Sequence, residues 1–164
     1  MTQDEFQVEA ESLRRQLVAE ADSYLHDTDG AEDAVQDALM RLWQVRDTLR
    51  SPMTAIAKVV VRNICLDRLR RTKPKTDIET VEAVSEDDDG NRQHNEAIDR
   101  MMAIVKMLPP QQQMIIQLRH FDGLEMSGIA MLMGMSEVAV RKALSRARQA
   151  VKAQYLKKYK EDEQ

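Results

Sequence analysis

LEMSGIAMLMGMSEVAVRKALSRARQA, residues 124–150, places small and apolar side chains where two helices crossing at a tight turn need them. The spacing predicts a first helix over Met126–Met133, with Ile129 and Met133 facing a core and Ala130 small enough for a second helix to cross closely. Gly134 supplies the turn, because glycine enters left-handed backbone almost freely whereas a Cβ-bearing residue loses about 1 kcal/mol. Ser136 is placed to cap the second helix with its hydroxyl. Val140, Ala143 and Leu144 then form the buried stripe of that helix and leave Arg141, Lys142, Ser145, Arg146 and Arg148 on its other faces. Such a polar and cationic set suits phosphates and the acceptor edge of guanine in a major groove. A helical hairpin with a solvated basic face would account for the charges. It would not account for glycine, alanine and apolar positions all falling in register, so the stretch reads as a DNA-binding helix-turn-helix.

Composition supports an all-α protein. The 164 residues leave room for one ordinary domain or two small ones, and only five glycines and four prolines stand among many Met, Leu, Ala, Arg and Glu. No apolar run reaches membrane-spanning length, and MTQDEFQVEAES at the N-terminus has neither a basic start nor an apolar signal core. A cytoplasmic protein without membrane insertion is expected. The single cysteine, Cys65, excludes an internal disulfide and lies in the apolar run VVVRNICL, which favours buried packing over redox chemistry.

The formal net charge of −4 conceals strong segregation. Acidic residues dominate from 2 to 37, against Arg14 and Arg15. From 50 to 75 the balance is basic, with only Asp67 opposing it. From 77 to 99 it is acidic again apart from Arg92, and from 141 to 160 it is purely basic. Two basic surfaces separated by an acidic connector suggest two nucleic-acid contacts.

The N-terminal half reads as a set of helices. Leu13, Leu17, Tyr24 and Leu25 mark one amphipathic face, interrupted by polar turn residues at 26–30. In AEDAVQDALMRLWQVR, Ala31, Ala34, Val35, Ala38, Leu39, Leu42 and Trp43 recur at intervals of three and four, leaving Glu32, Asp33, Gln36, Asp37 and Arg41 outside. Trp43 is expected to anchor the core. Ser51 and Pro52 predict the cap and first residue of a third helix over about 53–71, which buries Ile56, Val60, Ile64 and Leu69, ends in RLRRTKPK and is stopped by Pro74. The acidic run 76–95 is expected to be a solvated linker, dividing the chain into domains at 1–75 and 96–164. Beyond it, Ile98, Met101, Met102, Val105 and Leu108 make a helical stripe, Pro109 and Pro110 break it, and Met114, Ile115, Leu118 and Phe121 begin another.

Catalytic patterns are lacking. His26, His94 and His120 are far apart, and no phosphate-cradling loop, nucleophile elbow or Cys-His pair occurs. Asp33 and Asp37 share a helix face with Gln36 and Arg41, which suits a solvated or protein-binding surface better than a cation site. The expectation is a non-enzyme with no metal or cofactor.

The order of features resembles a known family. It rests on AEDAVQD at 31–37, Arg41-Leu42-Trp43, Arg62-Asn63 through Asp67-Arg68-Leu69-Arg70-Arg71, Leu108-Pro109 through Gln112, Phe121-Asp122-Gly123-Leu124, and Ser145-Arg146-Ala147-Arg148. In this order and spacing they resemble the extracytoplasmic-function (ECF) sigma factors of the sigma-70 family, bacterial initiation subunits with two helical domains, region 2 and region 4. The resemblance implies that Asp33, Gln36, Asp37 and Arg41 dock on core RNA polymerase. It implies that Arg50, Thr54, Lys58, Arg62 and Asn63 hold the minus-10 promoter element, and that Arg141, Lys142, Ser145 and Arg146, flanked by Ser136 and Arg148, read the minus-35 element. An anti-sigma factor is implied as a further partner. Asn63 is also an amide in a largely apolar helix, so it needs a hydrogen-bond partner, structural or nucleic. The chain departs from the family in having Met53, Ile56 and Ala57 where many members carry aromatic residues. It also has Gly128 in the opening turn of the helix-turn-helix, and Lys142 and Ala143 where a Ser-Arg pair is commoner. Other readings are a free-standing regulator binding an operator as a dimer, and an acidic adaptor that binds no DNA.

Overall fold

The computed structural model describes residues 1–72 and 96–160. The expected linker at 76–95 and the stop at Pro74 lie outside the described residues. Among the described residues every regular element is helical.

Helix α1 (Gln3–Leu25) opens with a capping box: Thr2 Oγ1 accepts the Glu5 N–H and Glu5 Oε2 accepts the Thr2 N–H. Phe6, Leu13, Leu17 and Ala21 form its buried face. His26 ends it in left-handed backbone, inside the polar turn expected there. Helix α2 (Thr28–Gln44) buries Ala31, Ala34, Val35, Ala38 and Leu42, and its alanines allow close approach to α1 and α3. Trp43 is half-buried at the rim, edge-on to Phe6 with ring centroids 5.3 Å apart and the Arg46 guanidinium 3.9 Å above its own ring. It anchors the edge of the core rather than its centre.

A short 3-10 turn, Arg46–Thr48, leads to α3 (Thr54–Thr72). The Ser51-Pro52 signal misplaces the start, since the helix begins two residues after Pro52. The reason is tertiary: Glu9 Oε1 accepts the Met53 N–H at 2.8 Å, and the carbonyl of buried Met53 receives the Ala57 N–H. Helix α3 buries Ile56, Val60 and Ile64 as expected, and also Ala57, Val59, Val61, Cys65 and Leu66, while Leu69 is partly buried. A helix apolar round most of its circumference must be covered from several sides. Accordingly α3 touches α1, α2, α5 and α6.

In the C-terminal half α7 (Glu137–Tyr155) is the packing centre for α4 (Glu96–Val105), α5 (Pro110–Ile116) and α6 (Met126–Met133). Pro110 occupies the first turn of α5, and a π-type segment, Gln117–Phe121, extends it. The stripe predicted for α4 is covered only at its C-terminal end: Ile104, Val105 and Leu108 are buried, whereas Ile98 and Met101 are each 46% exposed. Among the described residues helix α4 packs chiefly on α7, which covers its C-terminal end and leaves Ile98 and Met101 exposed. Phe121 likewise lies at the surface, while Met114, Ile115 and Leu118 are buried. The apolar side chains of both halves form one continuous core, with α3 meeting α5 and α6.

Candidate nucleic-acid interface

The helix-turn-helix is built as its local chemistry requires. Gly134 ends α6 at φ 67°, and Ala130 O receives both the Gly134 N–H and the Met135 N–H. Ser136 Oγ accepts the Ala139 N–H at 3.1 Å and starts α7. Only the acceptor side of the hydroxyl is used in the cap, so its proton remains able to donate to a phosphate. Val140, Ala143, Leu144, Ala147 and Val151 are buried, and Arg141, Lys142, Ser145 and Arg146 all project outward. Arg148 is exposed too, with Nε donating to His120 Nε2 at 3.2 Å. Burial first, then Arg148 and Arg119, holds the His120 imidazole below its usual pKa, so the neutral ring serves as acceptor. Gly128 faces open space, so no close approach explains it.

The basic face of α3 is differently disposed. Thr54, Lys58 and Arg62 follow one another at four-residue spacing along a helix face and are half-buried, and Arg50 is exposed in the loop before them. Arg62 points into the seam between the halves: its NH1 donates to Gln113 Oε1 at 3.4 Å, and its Nε and NH2 are buried with no partner among the described residues. Asn63 finds the partner its surroundings demand, donating to Met133 O at 3.2 Å. Arg41 enters the same seam from α2, with NH1 donating to Leu132 O at 3.0 Å.

Asp33, Gln36 and Asp37 lie on the outer face of α2. Arg68 spans the two carboxylates, 2.9 Å from Asp33 Oδ2 and 2.7 Å from Asp37 Oδ2, and also donates to Gly30 O. Beside Gln36 a shallow groove runs between α1 and α2, lined by Phe6, Arg14, Leu39, Met40 and Trp43. Among the described residues no cluster of His, Cys, Asp and Glu has the arrangement to hold a metal ion. Burial pushes the Cys65 thiol up to about 11, partly opposed by Arg68, which makes it a packing group.

Four participants escaped the sequence reading: Arg68 as clamp on Asp33 and Asp37, Gln113 opposite Arg62, His120 beneath Arg148, and the α6 carbonyls that receive Arg41 and Asn63. The exposed partner of an arginine has no periodicity, and a backbone carbonyl has no sequence signature at all.

Two helical halves packed on one core, the first ending in a basic helix and the second carrying an exposed helix-turn-helix, make up the described fold. Residues 10–74 match the family description "Sigma-70 region 2" and residues 98–151 match "Sigma-70, region 4". The chain belongs to the sigma-70 family, in its extracytoplasmic-function group. It is similar to the "ECF RNA polymerase sigma factor SigM" of Mycobacterium tuberculosis, at 30% identity over 74% of this chain and 62% of that protein. It is also similar to the "Probable RNA polymerase sigma factor RfaY" of Xanthomonas campestris, at 29% identity over 81% of this chain and 36% of that protein. The chain thus spans only about a third to three-fifths of these relatives' length. Among solved structures, the sigma factor RpoE of Bartonella quintana, crystallised with the anti-sigma factor NepR, aligns at TM-score 0.46 and 24% identity over 94% of this chain and 98% of that one.

Proposed function

We propose that this protein binds core RNA polymerase and directs promoter-specific initiation, while the polymerase performs the chemistry. The observation that carries the reading is the pairing, in one chain, of regions 2 and 4 with a recognition helix whose Arg141, Lys142, Ser145 and Arg146 are all exposed. In this reading Asp33, Gln36, Asp37 and Arg41 meet the polymerase, a charged, hydrogen-bonding face suited to an arginine-bearing partner. Arg50, Thr54, Lys58, Arg62 and Asn63 take the minus-10 element. Arg141, Lys142, Ser145 and Arg146, with Ser136 and Arg148 beside them, take the minus-35 element from the major groove. The functional division falls at 1–75, 76–95 and 96–164.

A non-catalytic, cytoplasmic role belongs to the same proposal, as does control by an anti-sigma factor. Among the described residues no helix is long and apolar enough to cross a membrane. The test is transcription from promoter templates by purified core polymerase with and without the full chain. Start-site-specific transcripts and co-purification with polymerase are expected. Tight dimeric binding to an operator with no polymerase association would replace this reading with that of a free-standing regulator.

A further inference from the structure

The last carbonyls of a helix have no partner within it and must find one elsewhere. In α6 the turn N–H groups of Gly134 and Met135 both go to Ala130 O, so they do not serve Leu132 O or Met133 O. Those two are instead received by the other half of the chain. Arg41 NH1, 91 residues away in sequence, donates to Leu132 O, and Asn63 Nδ2, 70 residues away, donates to Met133 O. The Arg41 guanidinium lies so close over the turn that a Cβ on Gly134 would sit 3.4 Å from both of its terminal nitrogens. A cation at a helix C-terminus is favourably placed against the helix dipole. The N-terminal half therefore supplies the C-cap of the first helix of the helix-turn-helix.

The same seam contains a discord. Among the described residues, half-buried Arg62 makes there a single 3.4 Å bond to the neutral amide of Gln113, and its buried Nε and NH2 have no partner. A guanidinium withdrawn from water without a carboxylate or phosphate opposes burial. Among the described residues, the seam thus adds to the shared apolar core two good hydrogen bonds that favour closure and a third polar contact that opposes it.

We infer that this is a self-inhibitory clasp: in the closed form the helix-turn-helix turn masks Arg41, Arg62 and Asn63 while leaving the Arg141–Arg146 face open. The inference rests on the sigma-factor reading for what those masked residues do, though the clasp itself does not. A closed molecule can engage a minus-35 duplex, but it cannot offer Arg41 to polymerase or Arg62 and Asn63 to the minus-10 strand. A partner that gives Arg62 a phosphate, or Arg41 a carboxylate, opens it. If about nine-tenths of the free protein is closed, full opening raises apparent affinity for polymerase about tenfold.

Gln113 tests this with none of the proposed binding residues substituted. Gln113→Glu gives Arg62 a carboxylate and tightens the clasp, whereas Gln113→Lys opposes Arg62 with a like charge and opens it. Spin labels on Ala19→Cys and Gln149→Cys, both exposed positions, report the separation of the halves in the full chain; Cys65 is buried. One short distance is expected for the free protein and for Gln113→Glu, and a longer population for Gln113→Lys and on addition of core polymerase. Polymerase affinity should rise several-fold in Gln113→Lys and fall in Gln113→Glu, with minus-35 duplex binding equal in all three. Distances unmoved by either substitution would overturn the clasp, and shifted distances with unchanged polymerase affinity would overturn its inhibitory role. Shifted distances with no polymerase binding in any variant would leave the clasp standing as a structural device and remove the sigma-factor reading and the inhibition with it.

Discussion

Arg68 NH2 lies 2.7 Å from Asp37 Oδ2, so the acidic face of α2 is neutralised in part from within its own fold. The same nitrogen is 2.9 Å from Asp33 Oδ2, and NH1 donates to Gly30 O, which ties the basic end of α3 to the first turns of α2. Arg68 is 29% exposed and Asp37 47%, so the pair is screened and its net worth is modest. Arg68→Ala is expected to cost about 1 kcal/mol in urea unfolding. Arg68→Lys should recover only part of this, since an ammonium cannot reproduce the guanidinium fork.

That clamp complicates any charge reversal at Asp37, because an arginine there would face Arg68 and disturb the fold as well as the docking face. Gln36 is the cleaner probe. It is exposed on the same face, and Gln36→Arg is expected to weaken binding to core polymerase by about tenfold, or about 1.4 kcal/mol, by opposing an arginine-bearing partner. The unfolding midpoint should stay within error of the wild type. Undiminished polymerase binding would move the docking site off this face.

The two glycines of α6 and its turn should respond with opposite signs. Gly134 adopts φ +67°, and an added Cβ would also press on the Arg41 guanidinium. Gly134→Ala is expected to destabilise by about 1–2 kcal/mol. Gly128 is inside the helix with open space where its Cβ would go. Gly128→Ala should therefore stabilise by about 0.5–1 kcal/mol. Calorimetric midpoints moving apart in this way would confirm the backbone assignments on both sides.

The helix-turn-helix was legible because local rules decide it: Gly134 for the left-handed turn, Ser136 for the cap, and the spacing of Val140, Ala143 and Leu144 for the buried face. Asn63 was half legible. Its need for a partner follows from the residues around it, but the partner is a carbonyl 70 residues on, which has no trace in side-chain chemistry. The cap of α3 is not legible locally for a related reason, although its extent is. Glu9, 44 residues earlier, takes the Met53 N–H and sets the helix start after the local Ser-Pro signal. Periodicity marks only one stripe of α3, whereas the helix is buried round most of its circumference because both halves of the chain cover it.

Arg141 is the sharpest probe of base reading. It is exposed on α7, and Arg141→Ala should cost about 1–3 kcal/mol of binding to the preferred minus-35 duplex while relaxing preference at one position. Binding measured across single-base variants of the duplex separates the alternatives. A uniform loss over all sequences, with a shallower salt dependence, would make Arg141 a phosphate contact instead.

His120 predicts how stability responds to acid. Burial, Arg148 and Arg119 all lower its pKa in the folded chain from the ordinary 6.5. Arg148 Nε donates to His120 Nε2, an arrangement that requires that nitrogen to be unprotonated. On acidification the unfolded chain therefore takes up this proton first, and unfolding is favoured by the difference. The contribution is complete above about pH 6.5 and declines as pH falls from there toward the depressed folded value, below which it changes no further. Urea unfolding at about pH 7.5 and about pH 5.5 should show a smaller loss of stability in His120→Gln than in the wild type, because glutamine accepts from Arg148 without titrating. Equal losses in the two proteins would place the acid sensitivity of this half in other groups and leave the Arg148–His120 contact without a part in it.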